Sequence, residues 1–137
     1  MDRRSFIRLS AAGSVTGIIA PASVLASSCS PEFAGAIYYT KDAPGRWSKK
    51  VGSHLPNIEV AGKNIQVTTS HGMNGYEHYI IKHMIFNDKL AFIDEKMFDP
   101  MKDKAPISRF SLGDYSGRIF VVSTCNKHDT WLNMAEI

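Results

Sequence analysis

The stretch RIFVVSTCNKHDTW, residues 118–131, decides how this chain reads. Its first half alternates, with Ile119, Val121 and Ser123 on one side and Phe120 and Val122 on the other. Such a β-branched, apolar run bounded by turn residues reads as a buried strand. The second half changes character: Cys125 is followed three residues later by His128, and then by Trp131. A thiolate and an imidazole at that spacing can hold one metal ion from a tight turn, with the Asn126 and Lys127 amides aimed at the sulfur. The competing reading is a small buried cysteine beside a surface histidine. A Cys29–Cys125 disulfide also competes, because oxidising compartments favour such bridges.

Upstream of this stretch the same period-two pattern recurs. Asn57 to Val60 and Asn64 to Thr69 flank Ala61-Gly62-Lys63, which reads as a hairpin. Tyr79 to Phe86 turns at Asn87-Asp88 into Leu90 to Ile93. Ile107 to Leu112 precedes Gly113 to Gly117, Trp131 to Ile137 closes the series, and Ala36 to Thr40 has strand character. No segment after residue 26 sustains helical periodicity for three turns. About seven short strands spaced by turn signals predict an all-β, immunoglobulin-like antiparallel β-sandwich.

The chain has 137 residues, enough for one domain with its own core. Its net charge of +3 includes Arg3, Arg4 and Arg8 against Asp2, so little positive charge is left elsewhere. That excludes the clustered basic face a nucleic-acid partner needs. The first residues read as an address: the twin-arginine pattern at 2–8, the weakly apolar run Leu9 to Ala26, and the small-residue site Val24-Leu25-Ala26. The predicted organisation is therefore a signal segment over 1–26, a turn-rich lead over 27–50, and a metal-binding β-sandwich over 51–137. Export by the twin-arginine route to the periplasm follows. Cys29 is a candidate lipid-attachment point that would anchor the chain to a membrane.

Five histidines are present. On this strand reading His54 lies in a loop before a strand, and His71 and His78 bracket the loop Gly72 to Glu77. Cys125 and His128 sit in the turn after the buried strand. Loops carried by a rigid sandwich are where ligands can converge. His83 stands an odd number of residues from His78, which on a regular strand puts it on the opposite face; it reads as a non-ligand. Asp129 reads as a turn residue able to orient a ring. Trp131 reads as packing beneath the site, and Met84, Met97 and Met101 as apolar packing.

Three ordered motifs together resemble the superoxide reductase family (desulfoferrodoxin and neelaredoxin). Cys125-Asn126-Lys127-His128 resembles the family's closing C-N-x-H. Ser53-His54-Leu55-Pro56 resembles its first-ligand segment, K-H-V-P. His71-Gly72-Met73 with Glu77-His78-Tyr79-Ile80 resembles its central histidine pair. The resemblance spans residues 51–136. It implies a mononuclear iron, one per chain, held by four imidazoles (His54, His71, His78, His128) and axially by Cys125. It also implies one-electron reduction of superoxide to hydrogen peroxide, with electrons from a donor protein that the sequence does not name. Imidazole ligands and an anionic sulfur suit ferrous iron, and a nearby cation would draw in the anionic substrate.

The chain departs from the family pattern twice. Six residues, not five, separate His71 from His78, and Gly75 offers a place for the extra residue to bulge. Gly52-Ser53 stands where the family carries Glu-Lys, leaving Lys49, Lys50 and Lys127 as candidate cations. No Cys-x-x-Cys pair precedes the domain, so the rubredoxin-like iron centre of larger members is not expected. Two other functions stay open at this level. Cys125, His128 and Met134 approximate a blue-copper ligand set, and a secreted immunoglobulin-like binding domain with a degenerate metal site needs no metal. Self-association is left open.

Overall fold

Seven antiparallel strands form two sheets in a computed structural model of the chain, which describes residues 31–137. The predicted signal segment and Cys29 lie outside the described residues. The strands are β1 (Asn57–Ala61), β2 (Asn64–Thr68), β3 (Ile80–Asn87), β4 (Phe92–Met97), β5 (Ile107–Ser111), β6 (Arg118–Cys125) and β7 (Asp129–Glu136). One sheet has the order β1-β2-β5 and the other β4-β3-β6-β7. This is the β-sandwich the periodicity predicts.

Alternation explains why the sheets face each other. In β2 and β5 every second residue is buried, as a half-buried strand requires. Ile65, Val67 and Phe110 from that sheet meet Ile85, Ile119 and Val121 from the other in one apolar cluster. The β1–β2 hairpin closes through Gly62 at φ +62°, the left-handed backbone that a tight two-residue turn demands of its first position.

Beneath the apolar cluster sits a buried polar one. His83 is fully inaccessible. Its Nε2 lies 2.9 Å from the Thr69 hydroxyl and its Nδ1 2.7 Å from the Ser108 hydroxyl, while Thr69 also bonds Ser123 at 2.8 Å. Among the described residues no buried side-chain nitrogen or oxygen lacks a partner.

Several expectations are corrected. Ala36 to Thr40 forms no strand; Tyr38 bridges only Ala34, and Tyr39 makes a single parallel bridge to Trp131. Its N–H donates to Thr130 O at 2.9 Å and its carbonyl accepts from Leu132 N–H at 2.8 Å. Strand β4 begins at Phe92, because Leu90 takes φ +61° in the turn, and it runs on to Met97. Met97 and Met101 are 55% and 72% exposed, so neither packs in the core. Simple parity also fails for His83, since the β3–β6 register shifts between Ile80 and Lys82. That bulge puts Ile80 and His83, three residues apart, both in the interior.

Candidate metal centre

Each of the five donors arrives from a different local device. His54 ends the one-turn helix α1 (Val51–His54) rather than lying in a loop. His71 follows β2, and His78 ends a 3-10 turn over Gly75–Glu77. Cys125 is the last residue of β6, not part of the turn, and pairs with Asp129 across it; His128 caps that turn.

The extra residue between His71 and His78 is absorbed outward. Asn74 N–H donates to His78 O at 3.0 Å, closing a small loop whose tip is Gly75 at φ +58°. A Cβ at Gly75 would meet nothing within 4 Å, so the tip points into open space. The Asn126 side chain fastens this loop from the other side. Its Oδ1 accepts from Tyr79 N–H at 3.0 Å, and its Nδ2 donates to Tyr76 O at 3.2 Å and Glu77 O at 3.0 Å. The Asn126 backbone N–H donates to Tyr79 O, not to the sulfur. Only the Lys127 amide faces Cys125 Sγ, at 3.5 Å.

His54, His71, His78, Cys125 and His128 thus converge, with one donor atom from each lying within 4.8 Å of every other. His54 Nε2 stands 3.0 Å from His128 Nδ1, which stands 3.1 Å from His78 Nε2, which stands 3.1 Å from His71 Nε2. The sulfur lies 3.6 Å from His128 Nδ1 and 3.9 Å from His71 Nε2. Cys125 carries a free thiol. His54 and Cys125 are buried at 2% and 3%, while the other three rings are partly exposed.

Proton accounting tests whether this set suits a cation. His71 Nδ1–H donates to Gly72 O. His54 Nδ1–H donates to Ser53 Oγ at 2.7 Å, and the Ser53 hydroxyl donates on to Lys50 O. A neutral imidazole has one N–H, so both Nε2 atoms point inward as lone pairs. His78 Nε2 faces two nitrogens and can donate to only one of them. Protons can join these nitrogens only in pairs, whereas one cation at the centre takes a lone pair from each of them. The spacing agrees. For nitrogens about 2.1 Å from a first-row divalent ion, neighbours stand about 3.0 Å apart in a square plane and about 3.4 Å in a tetrahedron. The cluster therefore fits four nitrogens around one ion, with sulfur to one side.

Electrostatics keep the rings neutral. Burial, with repulsion from His71 and His128, pushes His54 down to about 4. Burial also lowers His71, His78 and His128. The Lys50 ammonium presses on all four rings, whereas Lys127 reaches only His78 and His128 and sits 3.9 Å from Glu77. Neutral imidazoles are the metal-binding form. Of the three candidate cations, Lys50 is therefore the one that bears on the whole site. Ser53 orients His54.

Sequence patterns give little sign of the wall on the His128 side. Trp47 meets the His128 ring edge-on at 4.7 Å. Its Nε1–H donates to Asp129 Oδ2 at 2.8 Å, and Arg46 Nη2 donates to the same oxygen at 2.5 Å. These bonds hold Asp129 below the usual carboxylate range and bind the lead over residues 34–50 to the sandwich. A tryptophan seven residues before a ligand is the only signal the sequence offers. Trp131 lies where expected: it is fully buried, tilted against His54 at 5.8 Å, and its Nε1–H donates to His128 O at 2.9 Å. His83 is outside the five-donor cluster. Met134 is too, being 52% exposed and paired with Phe120, five strand residues from Cys125.

No protein-family model matches the chain. No curated protein matches it by sequence. Solved structures do match. A superoxide reductase (neelaredoxin) from Ignicoccus hospitalis superposes with a TM-score of 0.62 and 25% identity, covering 75% of this chain and 95% of that one. A variant of that protein gives 0.65, again at 25% identity, over 75% of this chain and 94% of that one. A superoxide reductase (1Fe-SOR) from Giardia intestinalis shares the fold at a TM-score of 0.54 and 21% identity, over 62% of this chain and 98% of that one.

Proposed function

We propose that the protein is a superoxide reductase, with one iron per chain held by His54, His71, His78, His128 and the thiolate of Cys125. The observation that carries this reading is the ring of inward-facing imidazole nitrogens 3.0–3.1 Å apart with a cysteine sulfur beside it. The overall reaction takes superoxide, one electron and two protons to hydrogen peroxide; a separate donor protein supplies the electron. Iron in such a set supplies one-electron reduction, with the sulfur donating electron density to it.

The chain's own residues do the rest. Ser53 and Gly72 hold the tautomers of His54 and His71, so their Nε2 lone pairs stay available. The Lys127 amide bonds the sulfur and tempers its basicity. Lys50 concentrates the anion at the site, an attraction weakened by salt. Solvent, which reaches His71, His78 and His128, delivers the two protons. The twin-arginine pattern supports an activity exercised outside the cytoplasm.

The test is rapid mixing of ferrous-reconstituted protein with superoxide. The expected result is second-order consumption far faster than with free ferrous ion, yielding one peroxide per superoxide, and slowed by Lys50→Gln at low salt. Consumption no faster than free ferrous ion would reject the enzymatic reading. Purified protein carrying copper with an intense blue thiolate band would reject iron itself.

A further inference from the structure

The loop from His71 to His78 has a free tip at Gly75, yet His78 Nε2 stands 3.1 Å from both His71 Nε2 and His128 Nδ1. A ligand on such a loop keeps its place only if neighbouring groups lock it there. Asn126 does so from the turn between β6 and β7. A second restraint comes from the connection between β4 and β5. Tyr76, two residues before His78, donates from its hydroxyl to Asp99 Oδ1 at 3.0 Å. Earlier in the loop, Met73 packs against a buried cluster of Ile80, Phe98 and Cys125. The loop is thus pinned twice, once in the cluster that contains the cysteine ligand and once beside His78.

Asp99 is a firm anchor. Phe98 N–H donates to Ile81 O at 2.9 Å, which ties the connection to β3. Asp99 O accepts from Lys102 N–H at 2.9 Å and from Asp103 N–H at 2.7 Å, and Asp103 Oδ2 accepts from Asp99 N–H at 2.7 Å. The Asp99 carboxylate also caps its own turn, Oδ1 accepting from Met101 N–H at 3.0 Å. The Met101 N–H and the Tyr76 hydroxyl together hold Asp99 below the usual carboxylate range. Tyr76 therefore bonds to an anion, and charge-assisted bonds of this kind are stronger than neutral ones. Burial does little to fix Tyr76, which is 62% exposed and meets Tyr79 edge-on at 5.6 Å. Its hydroxyl bond is what ties it to the rest of the sandwich.

We propose that Tyr76 and Asp99 are positioning residues for His78, passing the rigidity of the β4–β5 connection to the loop that carries this ligand. The inference rests on the five-donor centre but not on the reaction performed there. Its test titrates metal-free protein with cobalt(II) alone, in competition with a chelator. Tyr76→Phe keeps the ring and removes only the hydroxyl. It should weaken cobalt binding about fivefold, the worth of roughly one hydrogen bond, and still bind one ion per chain. In a His78→Ala background the same substitution should leave cobalt affinity unchanged, because the ligand it positions is gone. Asp99→Ala should match Tyr76→Phe, and the double variant should lose no more than either alone. An equal loss with and without His78 would make Tyr76 a general support of the fold and overturn the proposal. Unchanged affinity in Tyr76→Phe, with His78→Ala still weakened, would also overturn it while leaving the five-donor centre intact. Equal cobalt binding by the native chain and His78→Ala would instead remove His78 from the centre, and the proposal with it.

Discussion

His83 and the four histidines of the metal centre occupy neighbouring parts of one sandwich and use the same side chain in opposite ways. Thr69 and Ser123, which partner the His83 cluster, sit two residues before His71 and Cys125. At His83 both ring nitrogens meet hydroxyls, which reverse donor and acceptor roles at will. At the centre the nitrogens face one another and the Cys125 sulfur, an arrangement that one cation can join at a single point. Burial alone therefore does not mark a ligand; the chemistry of the facing atom does.

Breaking the centre should have the largest effect. His71→Ala or Cys125→Ala is expected to lower metal affinity by more than roughly 100-fold, beyond the loss typical of an outer hydrogen-bond partner. His83→Leu should leave metal content at one ion per chain. Elemental analysis after dialysis against a chelator measures both.

The next test turns on pH. Burial pushes His83 down to about 4, while an unfolded imidazole titrates near 6.5. Between those values the unfolded chain binds the extra proton, so its contribution to stability is full above about 6.5 and is lost as pH falls toward 4; it amounts to roughly 3 kcal/mol. Urea unfolding of metal-free protein at pH 7.5 and pH 4.5 should show a drop that shrinks by about that amount in His83→Leu. An undiminished drop would place the titration elsewhere, on His54 above all.

Asn126→Ala removes three hydrogen bonds to the loop between His71 and His78. It should cost about 2 kcal/mol of stability and weaken metal binding as well, whereas a change in the His83 cluster should do only the first. Paired denaturant and metal titrations separate the two. The smallest effect is expected from Trp47→Phe, which keeps an aromatic edge against His128 but drops the bond to Asp129. About 1 kcal/mol should be lost, read as a severalfold faster release of metal to a chelator.

Much of this architecture is legible in the order of residues alone. Period-two alternation marks the strands from β1 to β7 within a few residues, because alternation is a local consequence of burying one face. The five donors are legible as a set through their ordered motifs. His83 is legible only in its outcome: parity holds for a regular strand, and the bulge between Ile80 and Lys82 inverts its face. The expected strand at Ala36 to Thr40 reduces to isolated bridges at Tyr38 and Tyr39, because the backbone turns back on itself at Gly35. Trp47 and Arg46 are not legible as parts of the site, since their partner Asp129 lies far along the chain, and Lys50 is legible only as one of three candidate cations.

By itself the sequence determined the fold class, the strand boundaries to within a few positions, and the kind of atoms available to a metal. Only the tertiary structure decided that His71 and His78 still meet across a longer loop, that Ser53 and Lys50 serve His54, and that Trp47 walls the His128 side. The division has a physical reason. Alternation and donor identity are properties of neighbouring residues, whereas convergence and proton accounting depend on side-chain contacts made across loops and between strands, from one to tens of positions apart.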